Sequence, residues 1–229
     1  MATEHFVSAV IVAAGSGTRM GSIAKPLIKI GGMTLLERVV GTFDKCSLID
    51  EIIVVEREAG QFDSLVKAEK PLKFVLGGKT RADSVKCGVN AATRANYVCI
   101  HDCARPFITT EETEKLIKLA FEHGASCACT KVKDTVKYRS DEEKCFYTPN
   151  RDNLIAVQTP QVFKKSIWLV SDALARKNGI VFTDDTGAAE HAGFKVFYEE
   201  CAEDNIKLTD ANDIKIAKAI YFLKEHGDL

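Results

Sequence analysis

Three stretches of this sequence combine residue types suited to holding anions. The first, Ala13-Ala14-Gly15-Ser16-Gly17-Thr18-Arg19-Met20-Gly21, is followed by Lys25. Its small residues let backbone N–H groups approach a phosphate, and Arg19 and Lys25 add two cations, so the loop reads as an anion cradle. The glycines run G-x-G-x-x-x-G, one residue off the dinucleotide fingerprint. The second stretch is Gly77-Gly78-Lys79-Thr80-Arg81-Ala82-Asp83-Ser84. A P-loop would need glycine where Lys73 stands, so the Gly-Lys-Thr within it is not a Walker motif. Its N–H groups and the Ser84 hydroxyl could read the edge of a nucleobase, and Arg81 could meet a phosphate. The third is His101-Asp102-Cys103-Ala104-Arg105-Pro106. Asp102 there is a carboxylate placed to hold a phosphate-bound Mg²⁺, directly or through water. The plain alternative is an ion pair between Asp102 and Arg105, and His101 reads as a packed residue rather than a base.

Three further pieces belong with these. Asp134-Thr135 opens a polar excursion, Arg151 leads into Gln158-Thr159-Pro160-Gln161, and Asn205-Ile206-Lys207-Leu208-Thr209 precedes the last helical pattern. Thirty-one Lys and Arg stand against thirty-two Asp and Glu, a formal charge of -1. No global field therefore draws the protein to nucleic acid or an anionic membrane, and any anion must be met by a local cluster. Arg19, Lys25, Arg81, Arg151 and Lys207 all fall in expected loops, the arrangement that transfer between two polyanions requires.

The elements that must position these loops alternate from the start. Phe6 to Ala13 is a nearly continuous apolar run, the pattern of a strand buried on both faces. Helix is expected over Thr34–Phe43, strand over Glu51–Val55 and a helical stretch over Gln61–Lys67. Strand Lys73–Leu76, helix Ala82–Ala91, strand Tyr97–His101, helix Thr110–His123 and strand Ala125–Val132 follow. This order predicts right-handed crossovers and a mostly parallel, Rossmann-like α/β sheet flanked by helices. Between about 133 and 163 the rhythm breaks: strand-like pieces at Thr135–Arg139 and Lys144–Tyr147 flank Ser140-Asp141-Glu142-Glu143, which predicts a β-hairpin arm over 134–160 projecting from the sheet. Helices Lys164–Arg176 and Asp184–His191, strand Lys195–Tyr198 and a helix from Asp210 to about Leu223 resume the pattern. Ligands of such a sheet bind beyond the carboxyl ends of its strands, which is where the anion-holding loops fall.

The 229 residues, 46% hydrophobic and 28% charged, are an ordinary globular mixture that excludes disorder, collagen and coiled coil. One domain over 1–229 is expected. No stretch approaches the roughly 18 apolar residues of a membrane span. The start, Met1-Ala2-Thr3-Glu4-His5, lacks a signal-peptide pattern, so a cytoplasmic location is expected. The eight cysteines include no Cys-x-x-Cys and read as small buried hydrophobes.

Taken together, AAGSGTRMG (13–21), GGKTRADSV (77–85), HDCARPF (101–107), DTVK (134–137), RDNLIAVQTPQVF (151–163), TDD (183–185) and NIKLT (205–209) carry a resemblance over nearly the whole chain. In order and separation they resemble the pyrophosphorylase-like nucleotidyltransferases and, among these, the methylerythritol-phosphate cytidylyltransferases. The ribitol-5-phosphate cytidylyltransferase group is the neighbouring alternative. A non-catalytic CTP-binding regulatory protein and a sugar-1-phosphate nucleotidyltransferase are the others.

The resemblance implies cytidylyl transfer from CTP to 2-C-methyl-D-erythritol 4-phosphate, with pyrophosphate released, in non-mevalonate isoprenoid synthesis. It implies Mg²⁺ or another divalent cation beside Asp102. It places Arg19 and Lys25 on the CTP phosphates, and Arg151 and Lys207 on the sugar phosphate. The nucleotide pocket would comprise Ala13, Ala14, Gly15, Gly17, Gly78, Arg81, Ser84 and Asp102. The resemblance further implies a homodimer in which the hairpin arm lends Thr135 and Arg151 to the neighbour's acceptor site. Around the lysine the chain departs from the family's Pro-Lys-Gln pattern, reading Ala24-Lys25-Pro26-Leu27-Ile28 after a shorter loop; Lys29 is the alternative cation.

Overall fold

A computed structural model describes residues 5–15, 24–140 and 145–227. Its centre is strand β1 (Val7–Val12), the first apolar run of the sequence. Alternate residues of β1 enter opposite cores, as a period of two requires. Val7, Ala9 and Ile11 pack with Leu35, Val39 and Phe43 of helix α1 (Leu35–Lys45) and with Leu116 and Ala120 of α3 (Thr110–His123). Val10 faces the other way, toward Val85 and Val89 of α2 (Arg81–Ala91), Trp168 of α4 (Lys165–Lys177) and Ala189 of α5 (Asp185–His191). An added Cβ on Gly88 of α2 would lie 2.3 Å from Val10 Cγ1, which shows how closely this helix lies on the sheet.

Strands β4 (Glu51–Glu56), β5 (Leu72–Leu76), β6 (Tyr97–Asp102), β7 (Ala125–Lys131), β10 (Ile155–Lys164) and β11 (Phe197–Glu200) complete a seven-stranded sheet in the order β11-β7-β10-β6-β1-β4-β5. Neighbours run parallel except along β10, which is antiparallel to both β6 and β7. Two short antiparallel hairpins stand outside it: β2 (Lys29–Ile30) with β3 (Met33–Thr34), and β8 (Tyr138–Ser140) with β9 (Cys145–Tyr147). Helix α6 (Ala211–His226) closes the chain and packs over the first hairpin, where Gly31, at φ +59°, lies beneath the Tyr221 ring. Thr34 and Glu37, and likewise Thr109 and Glu112, form capping boxes that fix the starts of α1 and α3. Among the described residues no helix is long and apolar enough to cross a membrane.

The α/β architecture agrees with the sequence reading, and two local expectations are corrected. Gln61–Lys67 is a run of turns rather than a helix. It holds single turn bonds, Gln61 N–H to Glu58 O and Leu65 N–H to Phe62 O, and one helical turn does not repay its nucleation. Burial of Phe62 and Val66 suffices to pin it. The expected arm over 134–160 is shorter than that, because residues 155–160 belong to the central strand β10. Its pairing with β7 shifts between Val157 and Gln161, and the shift accommodates Pro160, which has no N–H for the ladder.

Candidate active site

The carboxyl ends of β1, β4, β5 and β6 open into a cleft of about 730 Å³. Ala14 and Gly15 line it from the first loop, Gly77 to Arg81 and Ser84 from the second, and Asp102 from the tip of β6. Lys25 and Lys207 come in from opposite ends of the sequence. These are the sequence-predicted residues that the fold brings together. Arg57 and Lys79 are two further cations on its wall that sequence reasoning did not single out; each follows a strand end closely, which was the available signal.

Asp102 is the electrostatic centre. Its Oδ1 accepts from Arg81 Nε at 2.9 Å and its Oδ2 from Lys207 Nζ at 2.6 Å. Burial alone would raise its pKa, but the two cations outweigh burial and hold the carboxyl well below the usual range. The alternative pairing of Asp102 with Arg105 does not form. Arg105 instead donates Nη1 to Asn205 O at 2.8 Å, tying the β6 loop to the loop that carries Lys207. Arg81 also reaches Asp185, Nη1 to Oδ2 at 2.9 Å, and Asp185 Oδ1 accepts from the Trp168 indole at 2.9 Å. Arg81, expected to meet a phosphate, is thus engaged by two carboxylates. Arg81 lines both this cleft and a second cavity of about 450 Å³, which Asp185 also lines.

The Ser84 hydroxyl, expected to read a base edge, is used by the loop itself. It donates to Thr80 O at 2.9 Å and accepts from Gly78 N–H at 3.2 Å. The loop folds so tightly onto its helix that a Cβ at Gly78 would fall 2.3 Å from Asp83 Cβ, and one at Gly77 would fall 2.7 Å from Ser84 Oγ. Glycine is needed here for close approach. Ala13 lies beneath the cleft rather than in its wall: its side chain is in the core and its N–H donates to Val55 O at 2.9 Å. Gly17 and Arg19 lie outside the described residues.

Lys25 opens a 3-10 turn, Lys25–Leu27, in which Pro26 supplies the fixed φ of an early helical position. Its Nζ donates to Leu208 O at 3.1 Å and Thr209 O at 3.3 Å, so the loop carrying Lys207 also steadies Lys25. Lys29 is exposed on β2 and does not line the cleft. His101 is fully buried. Nε2 lies 2.9 Å from Arg105 O and Nδ1 lies 3.1 Å from Thr159 Oγ1, which in turn accepts from the Asp102 N–H at 3.1 Å. Burial lowers the His101 pKa to about 4, so the ring is neutral at pH 7 and, with Nε2–H facing a carbonyl, holds the β6 loop in place.

Thr135 and Arg151 do not reach this cleft within the chain. Both are exposed on the arm, and Arg151 Nη1 donates to Lys133 O at 2.6 Å across the arm's base.

The depressed pKa of Asp102 gives a pH test. A carboxyl whose folded pKa lies below its ordinary 3.8 contributes stability that is fully present above that value and is lost as pH falls through the folded pKa. Lys207 is half-exposed, so Lys207→Met is expected to cost about 1 kcal/mol at pH 7 after solvent screening. The gap in thermal unfolding midpoint between variant and parent should narrow as pH drops from 4 toward 2. A constant gap would separate Lys207 from the Asp102 charge.

The model of the 2-C-methyl-D-erythritol 4-phosphate cytidylyltransferase family matches residues 7–223. A protein of that name from Caldanaerobacter subterraneus subsp. tengcongensis is 40% identical over 220 residues, covering 93% of this chain and 97% of its own. One from Clostridium botulinum is 37% identical over 222 residues, covering 93% and 97%. The crystal structure of 4-diphosphocytidyl-2C-methyl-D-erythritol synthase from Anaerococcus prevotii superposes with a TM-score of 0.84 at 33% identity, covering 95% of this chain and 98% of the other. The order of loops around the cleft and this end-to-end likeness agree: the chain belongs to the 2-C-methyl-D-erythritol 4-phosphate cytidylyltransferase family.

Proposed function

We propose that this protein transfers the cytidylyl group of CTP to 2-C-methyl-D-erythritol 4-phosphate, releasing pyrophosphate, as a step of non-mevalonate isoprenoid precursor synthesis. The observation that carries the chemistry is the convergence of Lys25, Lys207 and an ionised Asp102 on one cleft at the carboxyl ends of parallel strands. An acceptor phosphate oxygen attacks the α-phosphorus of CTP; the new P–O bond forms as the bond to the β-phosphate bridging oxygen breaks, and pyrophosphate leaves. A phosphate monoester with second pKa near 6 is already mostly ionised at pH 7. No general base is required, and His101, neutral and buried, is not placed to act as one. The obstacle is repulsion between two anions, so the chain's own contribution is positioning and charge neutralisation. Lys25 faces the charge that builds on the triphosphate, and Lys207 faces the acceptor phosphate.

A divalent cation such as Mg²⁺ fits the donor set. Such ions take one or two protein carboxylates and complete their shell with substrate phosphates and water. Asp102 is the carboxylate that would hold it, since each of its oxygens keeps an acceptor site beside its cation partner. When bound, the ion supplies charge neutralisation between phosphate oxygens.

The acceptor site is completed, in this reading, by a second copy of the chain. The arm presents Tyr138 and Phe146 at 66% and 64% exposure, with Val136 at 40% and Tyr147 at 46%, an apolar set open to solvent. Thr135 and Arg151 lie at its base and would enter the neighbour's cleft. Arg151→Ala is expected to raise KM for the acceptor by about 10-fold or more, the worth of a charge-assisted hydrogen bond, and to lower kcat while KM for CTP stays unchanged. A change confined to KM for CTP would reverse the assignment of the two ends. Phe146→Glu should shift the mass by light scattering from dimer to monomer and reproduce the acceptor defect.

The activity itself is tested by pyrophosphate release with Mg²⁺, crossing CTP, UTP, GTP and ATP against methylerythritol 4-phosphate and ribitol 5-phosphate. Turnover is expected with CTP and methylerythritol phosphate alone. Turnover with ribitol phosphate instead would keep the mechanism and replace the acceptor; CTP binding without release from any pair would make the chain a nucleotide sensor.

A further inference from the structure

The two cations on Asp102 are each held from behind, and both supports lead to one stretch of β10, residues 158–161. On one side Arg81 is fixed by Asp185. The Asp185 amide N–H donates to Gln161 Oε1 at 3.0 Å, and Gln161 Nε2 donates to Asp184 Oδ2 at 3.1 Å. On the other side Lys207 stands two residues after Asn205, which is fully buried and donates Nδ2 to Gln158 Oε1 at 2.9 Å and to Thr159 O at 3.0 Å. Gln161 Nε2 also donates to Gln158 O at 3.2 Å, closing the ring.

We infer that Gln158 and Gln161 are positioning residues for cytidylyl transfer: through Asn205 and Asp185 they set the spacing of Lys207 and Arg81 across Asp102, and so the place of that carboxylate at the cleft wall. This rests on the proposed function of the cleft. Both glutamines are buried in the middle of a sheet, where the next two residues are Val162 and Phe163 and an amide is costly unless its ends are bonded. Their bonds run to the two segments that hold the clamp: Asn205 on the loop that carries Lys207, and Asp184 and the Asp185 amide at the start of α5, where Asp185 grips Arg81. A displacement of about 1 Å in a positioning group costs up to about 10²-fold in rate.

Gln161→Met keeps the volume and removes both ends of the amide. The readouts are steady-state kinetics, thermal unfolding and the emission of Trp168, the chain's single tryptophan, whose indole is bonded to Asp185. The expected result is a folded protein with altered Trp168 emission and kcat lowered about 10-fold. In an Asp102→Asn background the same substitution should cost less than about 2-fold, because the group it positions is already gone. An equal loss in both backgrounds would show general loosening and overturn the inference, as would altered emission with parental kcat. Should Gln161→Met not fold, Gln158→Leu, which leaves Asn205 its bond to Thr159 O, carries the same cycle against Lys207→Met. An inactive parent protein would remove the proposed function itself, whereas an active parent with an additive cycle removes only the positioning role.

Discussion

Lys25→Ala is expected to lower kcat for pyrophosphate release by about 10²-fold or more, with a smaller change in KM for CTP. A donor aimed at charge that develops only in the transition state has this signature, and its removal costs about 10²–10³ in rate. The structure gives Lys25 the required fixity: it opens a turn set by Pro26, and two carbonyls of the Lys207 loop hold its ammonium. The carbonyls orient the ammonium on the cleft wall, with the Asp213 carboxylate near enough to feel its charge, whereas Arg81 is gripped directly by two carboxylates. Lys25→Arg should recover part of the rate, since it restores charge but not the reach and point geometry of an ammonium. A loss below about 10-fold in the alanine variant would remove Lys25 from the phosphate-stabilising role and direct attention to Arg57 and Lys79 on the same wall.

The chain departs from the family pattern around Lys25, and the contacts that hold Lys25 come from a segment distant in sequence. Residues 208 and 209 supply the carbonyls that place Lys25, so the position of the lysine depends on a loop some 180 residues away. Local spacing could not reveal that. What was legible was whatever depends on period and composition: β1 as a strand buried on both faces, the alternation that builds the sheet, and the loops that must then share one edge. Asp102, Lys25, Lys207, Gly78 and Ser84, singled out as small or charged residues in loops beyond strand ends, line one cleft.

Strand β10 was hidden for the opposite reason. Gln158, Thr159, Pro160 and Gln161 look like a loop in isolation, since a proline argues against a central strand and buried amides are unfavourable without partners. The partners exist, but Asn205, Asp184 and His101 supply them from three other segments. The pairing of Arg81 with Asp185 was equally out of reach, because it joins residues 104 apart in sequence. Asp102 and Arg105, three residues apart, suggested a local pair, which the stronger clamp of Arg81 and Lys207 displaces.

That clamp gives the largest expected effect on stability. Arg81→Met should destabilise the protein by about 3 kcal/mol, the lower end of the cost of removing one partner from a buried ion pair, because Lys207 still serves Asp102. For a chain of this size that is a fall of about 6–12 °C in unfolding midpoint. Burial by itself would depress the Arg81 pKa, yet Asp102 and Asp185 more than offset burial and raise it, so the guanidinium stays charged across the range in which the protein folds. Arg81→Lys should not restore the loss, since one ammonium cannot span Asp102 and Asp185 as the planar fork does, each at 2.9 Å. The diagnostic variant is Arg81→Met combined with Asp185→Asn. If the cost is an uncompensated charge at Asp185, removing that charge should return about 1 kcal/mol or more, and the two substitutions will be non-additive. If the cost is lost packing of the arginine stem, the second substitution will only subtract further stability, by weakening the bond from the Trp168 indole. The direction of that second step separates the two causes, and recovery is the expected result because the stem lines open cavities on both sides whereas the carboxylate behind it is buried.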